Sequence, residues 1–413
     1  MTSFTQLGRC RICGNTDLIP VLSLGVQALT GVFPRHPDEP VTAGPLDLVR
    51  CNPGAGCCGL VQLAQTYDKN ELYGIGYGYR SGLNPSMVHH LQSKVRAIEQ
   101  LVPLAEGDLV LDIGANDGTL LSSYRPGPEL VGIDPIGEKF RRYYPPHVEL
   151  VPSFFSAREV RARLGERKAK VITSIAMFYD LDEPMRFVED VVSCLDDDGV
   201  WVLEQSYLPS MVEANAYDTI CHEHLEYYGL AQIQWVTDRL GLRIVDVELN
   251  DVNGGSFSVT VANQGSRVVA NEAAVASLLA AEAPYAEEGV YADFRAAVLE
   301  HRRTLRAFFE QRRSRGETVL GLGASTKGNV ILQFCGIGPD NLPAIGEVNE
   351  DKFGCLTPGT HIPIVPEEEV RSRRPDYLLV LPWHFEPFFL RKESAFLEAG
   401  GKLCFPLPTL HCH

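Results

Sequence analysis

Short apolar runs alternate with helix-like stretches between about residue 75 and residue 265. The strand candidates are Leu109–Ile113, Leu130–Ile133, Val171–Ile175, Val200–Leu203 and Phe257–Ala262. Alternation of this kind is typical of a parallel sheet whose strands are joined by crossover helices. The pattern therefore predicts a doubly wound α/β domain in the middle of the chain.

The two ends of the chain differ from this middle part. Residues 1 to about 70 are rich in Cys, Gly and Pro, with short apolar runs such as Leu60–Leu63. Residues 271–315 are rich in Ala, Glu and Arg with helical periodicity, which predicts one or two linking helices. A second alternating region begins at Thr318, includes Tyr377–Leu381, and predicts a Rossmann-like domain. The predicted domains are residues 1–74, 75–283 and 284–413.

Composition is that of a globular protein with more than one core. The chain has 413 residues, of which 45% are hydrophobic and 22% charged, and this length favours two or three domains. We expect no membrane span, because no apolar run reaches about 18 residues, and no signal peptide, which favours a cytoplasmic location. The net charge of -16 disfavours nucleic acid as a partner. We expect a monomer or a weak homo-oligomer.

Cysteines near the N-terminus have the spacing of a metal site. Cys10 and Cys13 form one Cys-x2-Cys pair, and Cys51, Cys57 and Cys58 offer three thiols for two further places. Four thiolates can close a tetrahedral zinc site, which stabilises a module with little core of its own. We predict Cys10, Cys13, Cys51 and Cys58 as ligands, because Cys58, like Cys13, precedes a glycine. Cys57 is the alternative to Cys58, and unligated thiols are the alternative to a metal site.

The other cysteines are predicted not to form disulfides, because the expected compartment is reducing. Cys194, Cys335, Cys355 and Cys404 lie in apolar or loop stretches and are expected in the core. The terminal run His411–His413 resembles a set of metal ligands. A frayed chain end disfavours a dedicated site there.

A glycine turn and a helix start follow the strand Leu109–Ile113. Glycines permit a tight turn and close approach of a ligand, and the helix start presents free N–H groups. These features also suit NAD, which the loop alone leaves open. Polar side chains in the Asp-x-Gly-x-Asn-x-Gly pattern suit an amino-acid moiety, and Asp134 ends the next strand, where it can accept ribose hydroxyls. The sequence thus favours S-adenosylmethionine, with predicted contacts from Asp112, Gly114, Asn116, Asp117, Gly118, Asp134, Ser153 and Phe154.

Titratable side chains are concentrated in the segment Cys221-His222-Glu223-His224. An imidazole can act as a general base near neutral pH, and an adjacent carboxylate can orient it. The segment is therefore a candidate catalytic site. A surface cluster at a helix start is one alternative, and a metal site with ligands elsewhere is another.

The stretch Val319–Asn329 has the pattern of a strand, a glycine turn and a helix start. Free N–H groups and the helix dipole make such a turn suitable for an anion, and Lys327 adds a positive charge. The stretch predicts a phosphate contact, whereas a nucleotide-like domain without ligand is the alternative. The predicted contacts with substrate here are Ser325, Thr326, Lys327, Asn329 and, as a ribose partner, Glu347.

Taken in order, the cysteines, the Asp-x-Gly-x-Asn-Asp-Gly loop, the Glu-His-Leu segment and the Gly-x-Gly-Ala-x-x-Lys-Gly-Asn region resemble a known family. They are similar to the three-domain sugar C-methyltransferases of antibiotic deoxysugar biosynthesis, over nearly the whole chain. The resemblance implies a zinc-binding N-terminal module, a class I methyltransferase domain and a C-terminal Rossmann-like domain that helps to hold a nucleotide sugar. It also implies methylation at carbon 3 of a nucleotide-linked 4-keto-6-deoxysugar.

The resemblance further implies that His224 removes the proton beside the ketone, with Glu223 as its neighbour. The family often has a Tyr two residues before this Glu, where the chain has Cys221. We expect Tyr77, Tyr79 or Arg80 to supply the missing donor. Because of this departure, an O- or N-methyltransferase is an alternative, and a non-catalytic zinc-containing binding protein is another.

Overall fold

The structure is a computed structural model, and it describes residues 4–54, 56–72 and 80–413. Two of the predicted site residues, Tyr77 and Tyr79, lie outside the described residues.

The N-terminal module consists of antiparallel strands. Its strands are β1 (Phe4–Gln6), β2 (Leu18–Ala28), β3 (Ala43–Cys51), β4 (Val61–Leu63) and β5 (Gln65–Tyr67). Strands β1 and β5 pair with each other, while β2, β3 and β4 form a second sheet that is completed by Glu226–Tyr227 from the middle of the chain. The N-terminal sheet thus incorporates a strand that follows directly on the candidate catalytic segment.

The middle of the chain contains the predicted doubly wound sheet. Its strands are β6 (Leu109–Ile113), β7 (Glu129–Ile133), β8 (Val148–Val151), β9 (Ala169–Ile175), β10 (Leu195–Ser206), β11 (Glu226–Tyr227), β12 (Leu242–Asn250) and β13 (Ser256–Asn263). Without β11, they form one sheet in the order β12-β13-β10-β9-β6-β7-β8. The five neighbouring strands β10, β9, β6, β7 and β8 are parallel to one another, and β13 is antiparallel to both its neighbours, β10 and β12. The predicted fold class is confirmed.

The strand order reverses at β6, since β7 and β8 lie on one side and β9 and β10 on the other. Ligands of doubly wound sheets bind at the carboxyl ends of the strands at such a switch point. The glycine loop predicted to bind the cofactor follows β6 directly and therefore lies at this position.

Helices occur in all three regions of the chain. They are α1 (Lys69–Leu72), α2 (Pro85–Leu101), α3 (Gly137–Phe140), α4 (Ala157–Leu164), α5 (Pro184–Cys194), α6 (Leu208–Glu213), α7 (Leu230–Arg239), α8 (Glu272–Glu282), α9 (Glu288–Ser314), α10 (Thr326–Cys335), α11 (Glu367–Ser372), α12 (Glu386–Lys392) and α13 (Ser394–Glu398). The sequence of α5 explains both where this helix begins and which side it buries. Pro184 occupies its first turn, and Phe187, Val188 and Val191 form one buried face. Within the described residues, no helix is long and apolar enough to cross a membrane.

The C-terminal region forms a second mainly parallel sheet. Its strands are β14 (Val319–Leu322), β15 (Ile345–Glu347), β16 (Ile364–Pro366), β17 (Tyr377–Val380), β18 (Lys402–Phe405) and β19 (His411–Cys412). They are arranged in the order β16-β15-β14-β17-β18-β19, and only the edge pair β18–β19 is antiparallel. Cys404 and Cys412 lie opposite each other in that pair and form a disulfide. The expectation that the cysteines form no disulfides was therefore wrong at this pair.

The first and last modules share one hydrophobic core. Leu46, Leu48 and Leu63 of the N-terminal sheet belong to the same buried cluster as Val330 and Ile331 of α10. Polar contacts reinforce the junction, because the side chain of Gln333 accepts from and donates to the backbone of Ala28. The two outer modules are thereby joined directly to each other. The predicted domain boundaries at residues 74 and 283 stay predictions.

Candidate active site

A cavity of about 1240 Å³ lies at the carboxyl edge of the middle sheet. Residues of all three regions line it, from Gly31 in the N-terminal module to Asp112 in the sheet and Lys327 in the C-terminal region. A cavity of this size can hold a cofactor and a second, larger ligand together.

The glycine loop after β6 has the backbone geometry that its sequence predicts. Gly114 has φ of 73° and Gly118 has φ of 76°, conformations in which a side chain would be strained. Asn116 shares this left-handed region with φ of 50°. Its backbone N–H donates to the Asp134 carboxylate at 2.8 Å, which ties the loop to the end of β7.

Two buried carboxylates face the cavity beside this loop. Asp112 accepts a hydrogen bond from the Thr173 hydroxyl at 2.6 Å, yet burial raises the pKa of Asp112 to about 7. Burial also raises the pKa of Asp134, against the hydrogen bonds donated by Asn116 and Ile136. A cationic ligand would favour the ionised form of both groups.

This chemistry fits S-adenosylmethionine, which carries a sulfonium and an amino group, better than it fits a pyrophosphate. Backbone N–H groups of Asn116 and Ile136 donate to different oxygens of the Asp134 carboxylate, and a carboxylate has about four acceptor positions, so it can also accept a ribose hydroxyl. Of the predicted contacts, the structure brings together at the cavity wall Asp112, Gly114, Asn116, Asp134 and Phe154.

The remaining predicted cofactor residues are not in the lining of the cavity. The Asp117 carboxylate pairs with Arg80 at 3.2 Å and accepts from the backbone of Gly82 at 3.0 Å. It thus fixes the segment that enters α2, and it leaves Arg80 at the cavity wall. Gly118 packs under Tyr144, and the hydroxyl of Ser153 donates to the carbonyl of Phe154.

His224 lies in the cavity wall with a defined tautomer. Its Nδ1 is 2.8 Å from the carbonyl oxygen of Thr219, which can only accept, so Nδ1 carries the hydrogen and Nε2 a lone pair. Burial lowers the pKa of His224 to about 4, against the hydrogen bond to Thr219, and the charge of Lys327 lowers it further. The ring is therefore neutral near pH 7 and able to accept a proton.

Glu223 and Cys221 line the same part of the cavity. The thiol of Cys221 is hydrogen-bonded to the Glu223 carboxylate, and burial raises the pKa of both groups. A side chain at Gly31 would come within 3.3 Å of Glu223 Oε1, so the glycine in the N-terminal module allows this close approach. The cysteine that departs from the family pattern thus holds the carboxylate next to His224.

Lys327 enters the cavity from the start of α10. Its Nζ donates to the carbonyl oxygen of Asn253 at 2.8 Å, and its charge acts on both His224 and Asp218. Burial lowers the pKa of Lys327, and the Asp218 carboxylate opposes this shift. Asp218 itself is fully buried and accepts from the indole of Trp383 at 2.8 Å. No sequence pattern pointed to Asp218 beyond its position near the His-Glu-His segment.

Among the other residues predicted to contact substrate, Thr326 lines the cavity and three do not. Ser325 caps α10 by accepting from the backbone of Gly328 at 3.0 Å, and Asn329 donates to the carbonyl oxygen of Thr30 at 2.8 Å. Glu347 accepts from the backbone of the glycine turn at Ala324, 2.9 Å away. Their polar groups hold the loop and join it to the N-terminal module.

A buried charge cluster at the cavity was missed by the sequence analysis. Glu204, at the end of β10, lies 2.5 Å from Nε2 of His90 and 2.6 Å from Nζ of Lys94, and it accepts from Asn250 at 3.1 Å. Burial opposes ionisation, but the hydrogen bond from His90 and the charge of Lys94 lower the pKa of Glu204. The available signal was an acidic residue at the carboxyl end of a parallel strand.

The four predicted zinc ligands come together in the N-terminal module. Cys10 and Cys58 have their sulfurs 3.4 Å apart, those of Cys13 and Cys51 are 3.5 Å apart, and all four lie within 4.8 Å of one another. A tetrahedron with Zn–S bonds of about 2.3 Å has edges of about 3.8 Å, so the set fits zinc. Cys57 is not part of the set.

Comparison with protein families covers most of the chain. Residues 10–73 match the family described as "Putative zinc binding domain", residues 87–247 match "Methyltransferase domain", and residues 251–408 match "C-methyltransferase C-terminal domain". These matches, together with the site described above, confirm the predicted methyltransferase with its S-adenosylmethionine cofactor and structural zinc.

One curated relative is similar along its whole length. C-methyltransferase NovU from Streptomyces niveus is 32% identical over 409 residues, which covers 97% of this chain and 96% of NovU. Two solved structures are similar to this chain over less than half of its length. A chain from the complex between the Haloferax volcanii Trm112 methyltransferase activator and a methyltransferase is 15% identical. The match covers 43% of this chain and 95% of that chain, with a TM-score of 0.35. The structure of LepI in complex with SAM is 14% identical, and the match covers 45% of this chain and 54% of the LepI chain, with a TM-score of 0.34.

Proposed function

Because the chain belongs to the three-domain, zinc-containing C-methyltransferase family, we propose that it methylates carbon 3 of a nucleotide-linked 4-keto-6-deoxysugar. His224 would remove the proton next to the ketone. The observation that carries this proposal is the tautomer of His224, whose Nε2 lone pair belongs to a neutral ring in the wall of the cavity that also holds the cofactor loop. S-adenosylmethionine supplies the methyl group as an electrophile when bound.

The charges around His224 support proton removal from carbon. A ketone acidifies its neighbouring carbon because negative charge is delocalised onto the carbonyl oxygen, and a cation beside that oxygen lowers the barrier to proton removal further. Lys327 is the ammonium group whose charge reaches the imidazole, and its link to Asn253 fixes its position. We propose that Lys327 stabilises the enolate oxygen, which extends its role beyond the predicted diphosphate contact.

Basic side chains elsewhere in the cavity suit the diphosphate of the substrate. Arg35 of the N-terminal module and Lys352, which follows β15, both line it. Lys352 donates from Nζ to the carbonyl of Ala324 at 2.8 Å and lies over the ring of Phe33. The nucleotide would then be held between the two outer modules, with the sugar directed towards His224.

The test uses deuterated water and a panel of nucleotide 4-keto-6-deoxysugars. The wild-type protein should introduce deuterium at carbon 3 of one of them, and His224→Asn should slow this exchange by about 10²–10⁴-fold, as for loss of a general base. Calorimetric titration with S-adenosylmethionine is the control, since the variant should bind the cofactor as the wild type does. If His224→Asn exchanged deuterium at the same rate as the wild type, His224 would not be the base.

Lys327→Ala separates the two roles of the lysine. Loss of enolate stabilisation lowers kcat, whereas loss of a diphosphate contact raises the KM for the sugar nucleotide with little change in kcat. A methylated product that retains its original proton at carbon 3 would instead indicate O- or N-methylation.

A further inference from the structure

A cluster of metal-ligating side chains lies at the edge of the second sheet, outside both the four-cysteine set and the lining of the cavity. Glu386, at the start of α12, approaches His411 on the edge strand β19 and His413, which directly follows that strand. One ligand atom from each of the three residues lies within 4.8 Å of the others.

The hydrogen bonds of His411 leave an unfavourable contact unless a positive charge is present. Its Nδ1 is 2.9 Å from the carbonyl oxygen of Thr409, so Nδ1 donates and the Nε2 of a neutral ring is an acceptor. That Nε2 lies 3.1 Å from a carboxylate oxygen of Glu386, which is also an acceptor. Two acceptors face each other here, and either a proton or a metal ion must lie between them.

The second imidazole favours the metal ion. His413 approaches the other oxygen of the same carboxylate with its Nε2 at 2.7 Å. In the part of the chain that the structure describes, Glu386 forms ion pairs with these two rings and with no lysine or arginine. A divalent cation would neutralise the carboxylate and accept both nitrogen lone pairs, whereas without a metal ion the ring of His411 must carry a second proton to donate to Glu386.

The backbone holds the two histidines in place. His411 pairs with Phe405 and Cys412 with Cys404 in the antiparallel ladder, and the Cys404–Cys412 disulfide closes it. The ring of His411 also stacks on Phe405. The backbone at these histidines is thus held against β18, so the expected fraying of the chain end does not occur here.

We propose that Glu386, His411 and His413 bind a divalent transition-metal ion of the zinc class, separate from the zinc of the cysteine module. Two imidazoles and one carboxylate are a common ligand set for zinc, whereas Mg²⁺ and Ca²⁺ prefer oxygen ligands alone. The ion would link the edge strand β19 to the helix α12.

The experiment titrates Zn²⁺ and Co²⁺ into full-length protein whose cysteine module already holds zinc. The wild type should bind one further equivalent, and the cobalt spectrum should lack the sulfur-to-metal charge-transfer bands that thiolate ligands give. His411→Ala and His413→Ala should each lose this equivalent, whereas His147→Ala, at an exposed histidine outside the cluster, should retain it. Zn²⁺ should also raise the melting temperature of the wild type and not that of His411→Ala.

Three results would overturn the proposal. One is the absence of a further equivalent in the wild type, which would leave an imidazolium–carboxylate cluster. Another is equal binding by His411→Ala. The third is binding of Mg²⁺ in place of Zn²⁺, which would indicate oxygen ligands alone.

Discussion

His222 is a buried histidine of the candidate catalytic segment, and it should make the protein sensitive to acid. Its side chain has 0% exposure, its Nε2 lies 3.1 Å from the carbonyl oxygen of Gln27, and its ring contacts Tyr67 edge to face. Burial lowers the pKa of His222 from 6.5 to about 4, against its hydrogen bonds to backbone. The native ring therefore stays neutral at pH values where an unfolded chain is already protonated.

The sign and size of the effect follow from these two pKa values. Between pH 7 and pH 5 the unfolded state binds more protons than the native state, so the free energy of unfolding falls as the pH falls. With a pKa of 6.5 unfolded and about 4 folded, the loss from His222 over this interval is about 2 kcal/mol.

Urea unfolding at pH 7 and pH 5, followed by tryptophan fluorescence, measures this loss. His222→Gln retains an amide donor for Gln27 but does not titrate, so its loss between the two pH values should be smaller than that of the wild type by about 2 kcal/mol. His147→Gln, at an exposed position, should behave like the wild type. Equal losses in the wild type and His222→Gln would refute the reasoning.

Two further predictions concern the zinc ligands and the buried charge cluster. Cys58→Ser should lose the zinc and Cys57→Ser retain it, measured by emission spectrometry, because only Cys58 belongs to the four-sulfur set; the reverse result would assign Cys57 as the ligand. Glu204→Gln should destabilise the protein by about 3–5 kcal/mol, because it leaves the buried Lys94 without its carboxylate. The double variant with Lys94→Met should recover part of that loss in urea unfolding, and no recovery would contradict this explanation.

Features encoded by short stretches of sequence were predicted correctly. Apolar runs identified the parallel strands of the middle sheet, such as Leu109–Ile113, because burial on a sheet requires such runs wherever the strand lies in space. The spacing of Cys10 and Cys13, and the glycine after Cys58, indicated which cysteines come together in the structure. A tight turn and a metal knuckle depend on neighbouring residues, so their patterns are readable without the fold.

The tertiary structure alone decided which of these residues meet, because that depends on the order of strands and on the direction of each side chain. Lys327 was assigned to a phosphate turn by its neighbours in sequence, yet packing of the C-terminal module places its charge beside His224. Glu347 lies at the predicted strand end, but its carboxylate binds backbone N–H groups. The sequence predicted a frayed end at His411–His413, but pairing of β19 with β18 orders this segment. Contacts between residues far apart in the chain leave no periodic signal, and only the folded sheet order brings them together.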